Sequence, residues 1–385
     1  MDFGGGALGD RIRRVYGRQL MNARTQSRLA EFPLTRAVSK GKARKLFDVC
    51  AGFVYSQVLK AIVELEVIEL LVSEPMQSRD IAARLSLPRD RAERLLDAGV
   101  ALNLFYLQSD GHYAVGELGA ALIGCPGTLE MVRHHALLYD DLRDPVALLK
   151  SETPDTTVSK FWTYGSHDDA RSLSDEDIET YSGLMAASIP PIADEVLGAY
   201  AFHSDDMLLD VGGGNGMLAS IVARRAPHLK VATFDLPAVA PLAEARFRAQ
   251  GQASRSQVFS GDFTQDEIPR GADVISLVRI LLDHDDATVL KLLRRVRDAL
   301  PRGGTVLIAE HMSGSRGAER TGDAYFGFYL LAMGRGRPRT PKQICNLLER
   351  AGFTAVRKVS SARPIFATVV LGRRKEEESA HEEQL

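Results

Sequence analysis

The chain has 385 residues, 45% hydrophobic and 25% charged, with 48 basic side chains against 50 acidic ones. That length can bury one large core or two unequal ones, and the even charge balance excludes a general attraction for nucleic acid or for an anionic membrane. The three cysteines, Cys50, Cys125 and Cys345, are far apart and lack a CxxC spacing, so neither a disulfide framework nor a zinc cluster is expected.

In chain order, residues 1–45 form a basic arm. Up to Leu46 there are eleven Lys or Arg against Asp2, Asp10 and Glu31, a net charge of +8. Such a segment is either a solvated arm or a peripheral contact with anionic lipid headgroups, where each base adds about 1 kcal/mol. No apolar run is expected to reach the ~20 residues of a membrane helix, and MDFGGGALGD lacks the apolar core of a signal peptide. A cytoplasmic location, with membrane association through the arm, follows as the expectation.

Residues 46–124 begin with LFDVCAGFVYSQVLKAIVELEVIELL, apolar on most helical faces and therefore suited to burial, including burial against a second subunit. Next, SRDIAARLSLPRDRAERLLDAGVALNLFYLQSDGHYAV predicts a helix from Ser78, a turn at LSLP, a second helix, and two short strands about SDG, the plan of a winged helix. Between Ser78 and Asp97 five arginines face four acids. A net charge near +1 is poor for phosphate-driven binding, so a DNA-binding regulator is the disfavoured alternative and no nucleic-acid partner is expected.

Residues 125–200 read as a helical linker that contributes to a substrate pocket, with Pro190 and Pro191 as punctuation. From 201 to 373 the rhythm becomes strand, loop, helix. MLLDV, KVATFDLP, SQVFSGDF, ADVISLV and GGTVLIAE are five β-prone runs between helical stretches, which predicts an α/β domain with a doubly wound parallel sheet. The charged end, 374–385, lacks apolar periodicity and is expected to be disordered.

The first of these strands runs into DVGGGNG, with Gly212, Gly213, Gly214 and Gly216 between strand and helix. Glycines there let the backbone approach a ligand, and the helix N-terminus offers free N–H groups. The dinucleotide fingerprint GxGxxG begun at Gly212 would need glycine where Met217 stands, which argues against a nicotinamide or flavin dinucleotide. Asp235 ends the second strand, where a carboxylate can accept both ribose hydroxyls. Asp262 and Phe263 follow the third, as an acceptor for an adenine amino group and a face for its ring. Three consecutive strand ends thus surround one nucleoside.

DVGGGNG, FDLP, GDF and PRGGTVLIAE together resemble the S-adenosylmethionine-dependent O-methyltransferases of the plant phenolic and bacterial small-molecule type, over nearly the whole chain. That resemblance implies a Rossmann-like methyltransferase sheet, an N-terminal all-α and winged-helix dimerisation domain, a homodimer, and S-adenosylmethionine (SAM) as cofactor. It places Gly212 and Gly214 at the methionine part, Asp235 at the ribose, and Asp262 with Phe263 at the adenine. Met185 and Ser188 would touch the cofactor from above, and Arg279 would lie close to it.

In that family the fourth strand is followed by HDW, whose histidine is the general base. Here RILLDHDD puts Leu282 at that position, so the usual base is absent. His284 falls two residues on, in a different direction. Asp283, Asp285 and Asp286 suit the cap and first turn of the following helix, and no second ligand group supports a metal. The proton acceptor is left among His284, His135 and Glu310, the last matching an acidic residue that assists the family's base. Alignment of reactants is worth roughly 7–11 kcal/mol and a general base typically 10²- to 10⁴-fold, so a missing base does not exclude methyl transfer.

DAYFGFYLLAMGRG places Tyr325, Phe328, Tyr329, Ala332 and Met333 on one helical face, either core or the wall of a pocket for an elongated or planar apolar acceptor. Within the family, the long basic extension, LFDVCAGFVYSQVLKA and the non-histidine at 282 are most similar to the carotenoid-methylating branch of spheroidene biosynthesis. The implied acceptor is a tertiary hydroxyl on a polyene. The alternatives are a bacteriochlorophyllide C-methyltransferase, an O-methyltransferase of phenolic polyketides or hydroxyindoles, and a binding-only relative.

Overall fold

The computed structural model describes residue 14 and residues 21–152, 155–162, 182–203 and 206–376. The chain divides into two compact units, Met1–Ala121 and Leu122–Leu385. The charged end from 377 onward and most of the first twenty residues lie outside the described residues.

In the first unit a helix of 32 residues, Pro33–Glu64, opens on a proline whose fixed φ suits the first turn. It leads through helices Val67–Ser73, Ser78–Arg84 and Arg89–Ala101. Three short strands, β1 (Met76–Gln77), β2 (Phe105–Leu107) and β3 (His112–Val115), pair antiparallel in the order β1-β3-β2. This is the winged-helix plan, and the β2-β3 turn uses the positive φ of Gly111. One expectation fails here. Ala37–Glu64 is long and apolar enough by length and composition to cross a membrane, although only 11% of its apolar window is buried. Asp48 and Lys60 interrupt the apolar stretch, which hides it from a search for continuous apolar runs. Every residue from Gly41 to Cys50 is exposed, and Leu46, Phe47, Val49 and Phe53 stand out as large apolar groups on its surface.

The second unit is built on a seven-stranded sheet: β4 (Met207–Val211), β5 (Lys230–Asp235), β6 (Ser256–Ser260), β7 (Val274–Val278), β8 (Thr305–Glu310), β9 (Phe353–Val359) and β10 (Thr368–Arg374), in the order β6-β5-β4-β7-β8-β10-β9. The five expected strands are all parallel. β10 and β9 complete the sheet antiparallel, so it is mixed rather than purely parallel. β9 is an edge strand, FTAVRKV, whose exposed polar positions blur the apolar signal that marks the central strands.

Alternation along the strands splits the core between the two faces. Leu209, Val211, Ala232 and Phe234 pack with helices Asp286–Ala299 and Pro341–Arg350, whereas Leu208 and Val231 pack with helices Ile189–Ala199, Met217–Arg225 and Ala240–Ala249. The layout leaves the C-terminal ends of β4, β5, β7 and β8 side by side, where a crevice forms in open α/β sheets.

Candidate active site

At the end of β4 the chain turns through Gly212, Gly214 and Gly216, all at positive φ. A Cβ on Gly212 would stand 2.3 Å from Ile280 Cδ1, whereas one on Gly214 would meet nothing within 4 Å. Gly212 is thus required by close packing, while Gly214 borders open space where a ligand can approach the backbone. The Gly214 N–H donates to Asp235 Oδ2 at 2.7 Å and the Leu236 N–H to Oδ1 at 2.7 Å. Each carboxylate oxygen keeps a further lone pair for a vicinal diol. Burial pushes the Asp235 carboxyl up, and the two peptide N–H groups oppose it.

Phe263 lies on the far side of this loop: its Cε1 would be 3.7 Å from a Cβ on Gly212, and its ring meets His284 edge to face at 5.7 Å. Asp262 turns Oδ1 to the Thr264 N–H and hydroxyl, both at 2.8 Å, which fixes the turn after β6. Diol acceptor, ring faces and open glycine backbone fit an adenosine-bearing cofactor.

Arg279, just past β7, has φ +57, an unusual conformation for a non-glycine residue, and its N–H donates to the Ala309 carbonyl at 3.0 Å. Its Nη1 donates to Ser188 Oγ at 2.6 Å, and that hydroxyl donates to the Met185 carbonyl at 2.7 Å. Arg279, Ser188 and Met185 therefore meet, as they must if they share one ligand. Arg279 Nε is buried with no hydrogen-bond partner among the described residues.

Leu282 is buried, and its N–H donates to Glu310 Oε2 at 3.2 Å. The other oxygen of Glu310 is buried and has no hydrogen-bond partner among the described residues. Burial pushes the Glu310 carboxyl up to about 8, against the opposing charge of Arg339 and with the help of Asp283, so at neutral pH it holds a proton. His135 Nε2 and the Tyr325 hydroxyl share a hydrogen bond of 2.7 Å, and burial lowers the histidine's basicity. Of the three expected proton acceptors, His284 meets Phe263, and Glu310 follows Ala309, whose carbonyl accepts the Arg279 N–H.

Two of the three aspartates take the expected places, Asp285 as the cap and Asp286 in the first turn, and Asp283 does not. Asp285 is the cap, accepting from the Thr288 N–H at 2.7 Å, while Asp286 grips Arg337 and Arg339 at 2.7 and 2.8 Å. Asp283 ends a short 3₁₀ turn, Leu281–Asp283, where burial pushes its carboxyl up to about 6 and Arg279 and Arg335 hold it down. It is the functional candidate that the residue types alone did not single out, although it adjoins position 282. A second is His311, next to Glu310. Its ring stacks on Phe326 at 4.1 Å, its Nδ1 is buried with no hydrogen-bond partner among the described residues, and burial lowers it to about 3.

One buried apolar cluster, a candidate wall for an acceptor, joins Leu138, Leu148, Val158, Trp162, Leu282, Phe326, Tyr329, Leu330, Ala332 and Met333, with Met185 and Tyr325 packed against them. The expected single helix is two pieces, a π-turn Arg320–Tyr325 and an α-helix Phe326–Met333. The inward face is accordingly Phe326, Tyr329, Leu330, Ala332 and Met333, and Phe328 points outward with 38% exposure. Trp162 Nε1 donates to the Tyr329 hydroxyl at 2.7 Å, leaving that hydroxyl to give its proton to His134 Nε2 at 2.6 Å. Burial lowers His134 to about 4, so it is neutral.

Comparison with known proteins decides what this arrangement belongs to. Residues 139–354, more than half of the chain, match the O-methyltransferase domain, and residues 47–124 match the O-methyltransferase dimerisation domain. The chain belongs to the O-methyltransferase family. Over 356 residues this O-methyltransferase is 41% identical to demethylspheroidene O-methyltransferase of Cereibacter sphaeroides, covering 92% of this chain and 93% of that one. The enzyme of the same name from Rhodobacter capsulatus is 39% identical over 92% of this chain and 88% of its own. In fold, the O-methyltransferase is similar to human N-acetylserotonin methyltransferase solved with SAM, with a TM-score of 0.74, 24% identity, and coverage of 87% of this chain and 98% of that one.

Proposed function

We propose that this O-methyltransferase transfers the methyl group of SAM to a tertiary hydroxyl on a long apolar polyene, a carotenoid of the demethylspheroidene class. One observation carries the choice of acceptor. The polar atoms of the wall are spent on one another, Trp162 and His134 on Tyr329 and His135 on Tyr325, so a hydrocarbon face is what remains for an acceptor. The named relatives, similar over more than nine-tenths of this chain, support the same acceptor class.

When bound, SAM supplies an electrophilic methyl group on a sulfonium. Asp235 binds the ribose diol, Asp262 and Phe263 the adenine, and the backbone of Gly212 and Gly214 the methionine part, while Met185, Ser188 and Arg279 close over it. Water is excluded by Leu282, Phe326 and Met333. The acceptor hydroxyl loses its proton to the Asp283 carboxylate as the new C–O bond forms. An alkyl alcohol is too weak an acid to be ionised beforehand by a histidine with a pKa near ~6.5, so leucine at 282 forfeits little. Glu310, already protonated at neutral pH, is a hydrogen-bond partner for the turn and not the base.

The dimerisation domain supports a homodimer in which the apolar turns from Phe47 onward meet a second copy. Lys40, Lys42, Arg44 and Lys45 lie just ahead of that domain and are exposed, which suits contact with the lipid surface where such an acceptor dissolves. Flotation with anionic vesicles that is lost at high salt supports that contact; equal binding to neutral vesicles contradicts it.

The deciding experiment supplies methyl-labelled SAM with a hydroxylated carotenoid, a bacteriochlorophyllide or a simple phenol. Label in a carotenoid methyl ether is the expected result. Label on a pigment carbon, or on the phenol alone, refutes the assignment.

A further inference from the structure

Residues 334–340, between the wall helix and helix Pro341–Arg350, lie directly on the turn that carries Leu282 and Asp283. Arg339 has no exposed surface. Its Nη1 donates to the Leu281 carbonyl at 2.5 Å, its Nη2 to the His284 carbonyl at 2.6 Å, and its Nε to Asp286 Oδ1 at 2.8 Å. Arg337 adds its N–H to the Leu282 carbonyl at 2.9 Å and its Nη2 to Asp286 Oδ2 at 2.7 Å. Gly336, at φ +73, allows this approach, because a Cβ there would stand 2.1 Å from the Leu282 carbonyl oxygen.

Burying a guanidinium is costly, and its donors ordinarily go to a carboxylate in bidentate fashion. Here only one N–H goes to the carboxylate. The other two fix the carbonyls on either side of Leu282 and Asp283, a use that makes sense if the angle of those two residues matters.

Building on the acceptor-side reading above, we propose that Arg339 is a positioning residue for methyl transfer. With Asp286 it sets the direction in which residues 282 and 283 meet the acceptor hydroxyl, and it ties that direction to the wall helix through the short segment between them. A displacement of about 1 Å at a reacting centre can cost roughly 100-fold in rate.

The test compares wild type, Arg339→Ala, Arg339→Lys and Asp286→Asn for kcat, KM, affinity for S-adenosylhomocysteine by calorimetry, and cooperative unfolding. Expected for Arg339→Ala is a roughly 100-fold fall in kcat with KM and nucleoside affinity unchanged, partly restored by added guanidinium ion, which leaves wild type unaffected. Arg339→Lys should not restore the rate, because a point charge cannot span two carbonyls and a carboxylate. A folded Arg339→Ala with wild-type kcat overturns the proposal. If that variant fails to fold, Asp286→Asn decides: lowered kcat at unchanged KM supports positioning, and lost nucleoside affinity or unchanged kcat refutes it. Absence of carotenoid methylation by wild type would instead sink the functional reading, and this inference with it.

Discussion

The donor and acceptor halves of the site handle buried polar groups in opposite ways. On the donor side, burial raises the Asp235 carboxyl, but peptide N–H groups from Gly214 and Leu236 meet both its oxygens. On the acceptor side, among the described residues, Glu310 has one oxygen paired and one not and His311 Nδ1 has no hydrogen-bond partner, while His134 is held neutral by its surroundings. At Asp235 two backbone donors oppose the effect of burial, whereas hydrocarbon surroundings favour the uncharged forms of Glu310 and His134.

Substitutions can break that contrast. The largest effect is expected at Asp283. Asp283→Asn should lower kcat by about 10²-fold or more. In wild type, kcat/KM should rise with pH through about 6 as the carboxyl ionises, and the variant should lose that rise. A variant that keeps the pH profile would show that the proton goes elsewhere. Next, Asp235→Ala should weaken S-adenosylhomocysteine binding by about 100-fold, since hydrogen bonds to a charged group are worth roughly 1.5–3 kcal/mol each; calorimetry showing equal affinity would remove the ribose assignment. Smaller still, Tyr329→Phe strands the Trp162 N–H and His134 Nε2 and should cost roughly 1–3 kcal/mol in denaturant unfolding. Unchanged stability would mean the wall does not depend on that pairing. Least affected should be Leu282→His, with turnover altered by less than about tenfold, at the bottom of what a general base contributes or below it. A large gain would reveal a native reaction limited by its missing base.

The donor-side candidates could be named from the sequence because they are local: glycines, strand and carboxylate follow one another, and each strand end announces its residue. So could the winged helix and the five parallel strands, whose periodicities are clean. The acceptor half joins Asp283 to Arg335, Leu281 to Arg339, and His134 to Tyr329 across long stretches of chain, and no spacing encodes such meetings. The π-turn changes the bearing of Tyr325 relative to the helix after it, which a regular 3.6-residue period does not foresee, whereas Phe328 lies within the regular helix at the edge of its buried face, where apolarity alone does not tell inside from outside.

That π-turn has a consequence for how acceptor preference can change. The Phe326 N–H reaches back to the Thr321 carbonyl, one residue farther than in an α-helix. Each residue advances an α-helix by about 100°, so losing one between Arg320 and Tyr325 would swing the downstream side chains to a new bearing without altering any of them. A lineage could then acquire a differently shaped acceptor by a single-codon deletion, with the chemistry at the donor end left untouched.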